Sequence, residues 1–353
     1  MQSAVKKMYI SILVLVLVLF TGVATTYAWV GILTHSNFEE FEVNIKSSNL
    51  REYGLELSLD GVNFTTEIET IDIEKQILLN FGYTDAQLST DEQVERLFSS
   101  FRMDQCTVKP NFENNTLSEF TTMKGSATKR IFKFDLYISA FKVYETAITT
   151  DYKVDAFLHG DILQGTVGSY QLFNDFTYPS NFINNTGNVT PGTTISKMSV
   201  DSSYACRVAF QKYEVVEKYK PELYTEGSQI NDLIIYQGGT QDPMHYPDNN
   251  VYSFGGILET PYNLAMAEHN YYSNTNVQVP DWAIERGKKE LEVNPQNSQL
   301  VDSTNVDEQI GVDEMMKMTI YMWFEGWDSD CYFAIDKKPV TLNLNFSNYG
   351  EII

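Results

Sequence analysis

Phe132-Lys133-Phe134-Asp135-Leu136-Tyr137-Ile138 alternates apolar and polar residues with period two. Successive side chains of a strand point to opposite faces, so this stretch reads as a strand with one buried face. The same alternation recurs on either side of it. Phe41-Glu42-Val43-Asn44-Ile45 and Leu55-Glu56-Leu57-Ser58-Leu59 precede it, the latter running into the turn signal Asp60-Gly61. Tyr152–Leu158, Tyr204–Phe210, Lys317–Phe324 and Val340–Phe346 follow. In the last, Val340, Leu342, Leu344 and Phe346 face one way and Thr341, Asn343 and Asn345 the other, the pattern of a half-buried antiparallel strand.

Helical patterning is scarce. Thr90–Phe101 has a capping residue, either Ser89 or Thr90, early acids and Val94, Leu97, Phe98 and Phe101 at helical spacing. Trp282–Val293 is a second candidate, weakened by Gly287. Many strands, few helices and connections rich in Gly, Asn and Pro predict a mainly β fold: an antiparallel β-sandwich of jelly-roll type with long loop insertions. The longest insertion is expected at about 218–307, rich in Pro, Gly, Tyr and Asn, as a structured excursion over one end of the sandwich.

The N-terminus has its own logic. Lys6 and Lys7 precede an uncharged run from Met8 to Phe38 whose centre, Ile10–Phe20, is ISILVLVLVLF. A positive start, an apolar stretch and small residues (Gly22-Val23-Ala24, then Thr26-Tyr27-Ala28) are the layout of a secretory signal. The run is also long enough to span a bilayer as an uncut apolar helix. Residues 1–28 are therefore expected to be a signal peptide or membrane anchor, and 29–353 one extracellular domain.

The chain has 353 residues and a formal charge of −22. Lys6 and Lys7 are the charges within 1–28, so the remainder carries −24. A body this acidic repels phosphate backbones, which argues against nucleic acid as a partner. With 43% hydrophobic residues it buries a core without staples. Cys106, Cys206 and Cys331 lie far apart, outside any zinc or redox spacing, and are expected to add little to stability.

The sequence offers little chemistry. His35, His159, His245 and His269 form no H-E-x-x-H pair, and no G-x-S-x-G elbow or Gly-rich phosphate loop occurs. No cofactor is expected. Asp328 and Asp330, two residues apart in Trp327-Asp328-Ser329-Asp330-Cys331, are weak candidates for a calcium site, the competing reading being an Asx-turn with exposed acids. Asn-x-Ser/Thr triplets occur at Asn63, Asn114, Asn184, Asn188 and Asn345.

Four stretches together carry a resemblance. They are Ala24-Thr25-Thr26-Tyr27-Ala28-Trp29, Gly54–Phe64, Phe134–Ile138 and Trp323-Phe324-Glu325-Gly326-Trp327-Asp328-Ser329-Asp330-Cys331. The set resembles exported surface and biofilm-matrix proteins of the TasA/camelysin class from Gram-positive or wall-less bacteria. The resemblance covers the signal and the strand skeleton, about a third of the chain, and departs from the pattern at Val30. It implies a jelly-roll-like sandwich that assembles into extracellular fibres. A protease activity is not carried over, because the metalloprotease ligands are missing.

The expectation is a non-enzymatic exported surface or matrix protein that self-associates by strand addition. Trp29, Val30, Ile32 and Leu33 would be the assembly segment once the signal is removed, and the membrane the partner if it is not. One alternative is a viral or eukaryotic membrane-anchored glycoprotein or minor capsid component. Another is a secreted carbohydrate-binding module or hydrolase, its aromatics drawn from Tyr236, Tyr246, Tyr252, Tyr262, Tyr271 and Tyr272.

Overall fold

The computed structural model describes residues 35–36, 41–48, 53–101, 103–111, 116–122, 125–143, 153–159, 162–177, 192–225, 229–238, 245–246, 251–254, 257–258, 281–292, 298–299, 309–328, 331 and 338–348. The principal strands are β1 (Phe41–Ser48), β2 (Tyr53–Ser58), β3 (Met103–Asn111), β4 (Thr116–Thr122), β5 (Phe132–Lys142), β6 (Phe157–His159), β7 (Leu163–Gly165), β8 (Val167–Thr177), β9 (Thr194–Asp201), β10 (Cys206–Glu217), β11 (Gln229–Gln237), β12 (Leu291–Glu292), β13 (Glu314–Glu325) and β14 (Val340–Ser347). The helices are α1 (Thr70–Asn80), α2 (Asp91–Ser99) and α3 (Asp281–Gly287). The protein is mainly β, with several sheets.

The larger sheet is built on β13, which pairs antiparallel with β10 on one side and with β5 on the other. β2 extends the sheet beyond β5, and β11 extends it beyond β10. Alternation explains the seating: Met316, Met318, Ile320, Met322 and Phe324 share a face with Phe132, Phe134, Leu136 and Ile138, and all are buried in one core. The smaller sheet contributes Val43 and Ile45 from β1 and Val340, Leu342, Leu344 and Phe346 from β14 to that same core. The two sheets therefore pack on each other through the apolar faces legible in the sequence.

Strand direction differs from expectation at the chain ends. β14 runs antiparallel to β6 and β7 but parallel to β1, matched residue for residue from Phe41↔Val340 to Ser48↔Ser347. Periodicity reports which face of a strand is buried and carries no information on its neighbour's direction. β8 and β9 form a two-stranded ribbon of their own, with Val167, Gln171, Lys197 and Ser199 exposed.

The α2 cap is as read: the Thr90 side chain accepts from the Gln93 amide, and Val94 and Phe98 are buried. The second expected helix is shorter, ending at Gly287 and passing into β12. α1 went unread. Its Thr70-Ile71-Asp72-Ile73 start alternates like a strand, and Glu69 gives it no side-chain cap, yet Ile73, Ile77 and Leu78 fall on one helical face and are buried. The stretch 218–307 is not wholly an excursion, since β11 is an integral strand of the larger sheet.

Candidate functional site: the sheet edges and a buried ionic clasp

An open sheet has edge strands whose outward N–H and C=O groups lack strand partners. Here most edges are stopped by side chains. Along β2, the Ser47 hydroxyl donates to Leu55 O at 2.5 Å and Asn348 Nδ2 to Tyr53 O at 2.8 Å. Leu57 exchanges two backbone bonds with Thr65, at 2.6 and 2.8 Å. β5 runs past the end of β2, and there α1 takes over: Gln76 Oε1 accepts from the Asp135 amide at 2.9 Å, and Asn80 Nδ2 donates to Lys133 O at 2.6 Å. On the outer side of β1, the Thr70 hydroxyl donates to Val43 O at 2.7 Å, and Glu67–Ile68 pairs with Ile45 and Lys46.

β11 is different. Its inner side pairs with β10 from Arg207↔Gln237 to Tyr213↔Gln229. On its outer side, among the described residues, only Tyr236 and Gln237 have a strand neighbour, the two-residue parallel β12. From Gln229 to Ile235, no described side chain caps that outer edge in the way seen on β1, β2 and β5.

Beside the guarded end of β11 lies a cluster that sequence reading did not assemble. Arg207, Arg286, Glu290, Glu325 and Asp328 are all at most 1% exposed. Arg207 Nε donates to Glu290 at 2.6 Å and Nη2 to Asp328 at 2.6 Å. Arg286 Nε donates to the other Glu290 oxygen at 2.8 Å, and its Nη2 pairs with Glu325. Arg286 Nη1 reaches Thr107 and Val108 O on β3. Glu325 also accepts from the Trp323 indole at 3.0 Å and the Trp327 amide at 3.1 Å. Two arginines and three carboxylates sum to −1 if all are ionised. Burial opposes charge on Arg207, but Glu290, Asp328 and Glu325 outweigh it and hold the guanidinium well above its ordinary value. Both oxygens of Glu290 and of Glu325 are engaged, so the cluster binds the chain to itself: α3 and Glu290 are clasped to the ends of β10 and β13.

One signal for this was available. Ala205-Cys206-Arg207-Val208-Ala209-Phe210 sets an arginine inside an apolar strand, and such a charge needs a buried partner. Its partners lie 83 and 121 residues away in sequence, which no local pattern reveals.

Asp328, the weak calcium candidate, is buried rather than exposed, and its Oδ2 accepts from Arg207 at 2.6 Å. Asp330 lies outside the described residues, as do Trp29, Val30, Ile32 and Leu33. Among the described residues no group of His, Cys, Asp and Glu could hold a metal ion. Likewise, no described helix is long and apolar enough to cross a membrane, and the apolar N-terminal run is outside the described residues. Tyr236 is not a sugar platform: it is 2% exposed and packs edge-to-face on Phe210. The side chains of Tyr246 and Tyr252, and all of Tyr262, Tyr271 and Tyr272, lie outside the described set.

The three thiols are free, with Cys106 and Cys206 fully buried. Burial pushes both up, with Glu325 and Asp104 adding to the effect at Cys106, so neither is a reactive thiolate.

Comparison with known proteins returned no matching family model, no matching curated protein and no matching solved structure.

Proposed function

We propose that this chain is an exported, non-enzymatic surface or matrix protein whose subunits associate by strand addition. The observation that supports this best is the contrast between edges: β1, β2 and β5 are stopped by side-chain bonds, while among the described residues no strand or side chain covers the outer side of Gln229–Ile235. A soluble monomer blunts such an edge. The donor in this reading is the apolar segment Trp29–Leu33, freed when a signal peptidase cuts near Ala24 or Ala28.

One feature of the fold supports this reading. His35 and Ser36 pair antiparallel with Asp104 and Met103. Continuing upstream along β3 would bring the chain to Cys106, whose two sides are already taken by Thr122 of β4 and Glu325 of β13. The ladder that would fold Trp29–Leu33 back onto its own sheet is closed at that point. A head-to-tail contact of this type is heterologous and gives open filaments rather than closed rings. The finer fold reading, a jelly-roll-type sandwich carried behind an N-terminal apolar helix, belongs with this proposal.

Protein beginning at Trp29 is expected to form polymers visible by electron microscopy and light scattering, and protein lacking Trp29–Leu33 to remain a folded monomer. A mature form that stays monomeric at high concentration would leave a tethered surface protein as the better reading.

A further inference from the structure

The clasp and the open edge meet at one place, and the way they meet suggests a device. Arg207 lies directly across the ladder from Gln237, the last residue of β11. Glu290 grips Arg207, and the next two residues, Leu291 and Glu292, are those that pair with Tyr236 and Gln237. The strap 281–292 is thus delivered to the edge by a salt bridge anchored on the neighbouring strand. Just past Gln237 the chain runs close against Ser203, since a Cβ on Gly238 would meet Ser203 O at 2.3 Å.

A two-residue parallel pairing is a weak hold by itself, because parallel pairs are the less stable kind and the net contribution of each backbone hydrogen bond is small. What seats the strap is the clasp: Arg286 is tied to β3 at Thr107 and Val108 and to β13 at Glu325, while Glu290 bridges Arg286 and Arg207. The same chain contact holds the strap and closes one end of the edge. Buried ion pairs are weak evidence for stability, but they accept few alternative geometries and so can fix register.

We propose that the strap 281–292 is an intramolecular guard on the β11 edge, held in register by the ionic clasp, that limits how much of this edge an incoming strand can use. The guard occupies Tyr236–Gln237 and leaves Gln229–Ile235. Releasing it would extend the acceptor edge to the full Gln229–Gln237. Its role in assembly rests on the strand-addition reading above, whereas its role as a guard does not.

The test separates the two. Amide hydrogen exchange is compared between the folded chain beginning at Trp29 and its Arg286→Ala/Glu290→Ala variant. Of the neighbouring Tyr236 and Gln237 amides, the one that faces β12 should exchange on the order of tenfold faster, as for loss of a local closing contact, while exchange in β13 from Met318 to Met322 stays unchanged. Should the double variant fail to fold, Glu290→Gln serves instead: it removes one charge, leaves two arginines facing two carboxylates, and should raise exchange at the same outward amide by a smaller factor. Unchanged exchange at Tyr236–Gln237 in a folded variant would overturn the guard. Polymerisation is read on the same samples by light scattering. Faster polymerisation of the variant carries the guard into assembly. A rise in exchange with no polymerisation by either protein keeps the guard and sinks the strand-addition reading.

Discussion

Two edges bound the same sheet and are protected in different ways. The β2 edge, with the neighbouring stretch of β5, is closed by small polar side chains that reach a carbonyl or amide directly: Ser47, Asn348, Gln76 and Asn80. Among the described residues, the β11 edge is met only at its end, by a strap that is tied to buried charges. Several independent hydrogen bonds fail one at a time and leave the rest in place. A clasp of coupled charges fails as a unit, since removing one partner leaves another buried and uncompensated. The first arrangement suits an edge that is never used, and the second an edge whose exposure can change.

The largest effect that would sharpen this contrast comes from Arg207. Arg207→Ala takes its arginine away from buried Asp328 and leaves Glu290 with Arg286 alone, and should cost about 3–5 kcal/mol, read as a lower midpoint in urea denaturation. A loss below about 1 kcal/mol would mean that water reaches the cluster, and the proposed clasp would lose its basis.

Gln76 comes next. Its amide both donates to Leu59 O and accepts from the Asp135 amide, each at 2.9 Å. Gln76→Ala should therefore cost about 1–3 kcal/mol, because it leaves two main-chain groups without their partner. At β2, Ser47→Ala removes one cap and should cost about 1 kcal/mol. Neither change should alter exchange at Tyr236–Gln237. If either does, the two edges are not independent and the comparison breaks.

The smallest effect is a pH dependence on α1. Burial, with Glu95 adding repulsion, pushes the Glu74 carboxyl from 4.5 up to about 7. The folded state then binds a proton more tightly than the unfolded state, so this group's contribution to stability falls as pH rises from 4.5 to about 7. Glu74→Gln should flatten that slope in a pH series of thermal midpoints. An unchanged slope would place the Glu74 carboxylate in water.

The face of each strand was legible in the sequence because alternation is a local signal. Val340–Phe346 and Phe132–Ile138 bury the side chains that the pattern selects. The Asp60-Gly61 turn was legible for a similar reason. The Asp60 carboxylate accepts from the Val62 and Asn63 amides at 2.8 and 2.7 Å; burial would raise its pKa, yet these bonds hold it at about 2. Gly61 takes φ 73°, and a Cβ there would lie 3.0 Å from Pro221 Cβ. The parallel pairing of β1 with β14 was not legible, because it joins the two ends of the chain and alternation is blind to direction. Nor was the clasp: Arg207, Arg286, Glu290, Glu325 and Asp328 meet only after the sheet forms. The burial of Asp328 was not legible for the same reason, since an acidic loop looks exposed until its arginine is found.

The most direct test of strand addition is amide exchange along Gln229–Ile235 in two states of the same protein. One is the polymer formed by chains beginning at Trp29, and the other is the monomer lacking Trp29–Leu33. The account predicts that amides in this stretch exchange slowly in the polymer and faster in the monomer, because a neighbour's strand occupies the outer side of β11. Equal exchange in both states would contradict it, and would show that whatever joins the subunits does not use this edge.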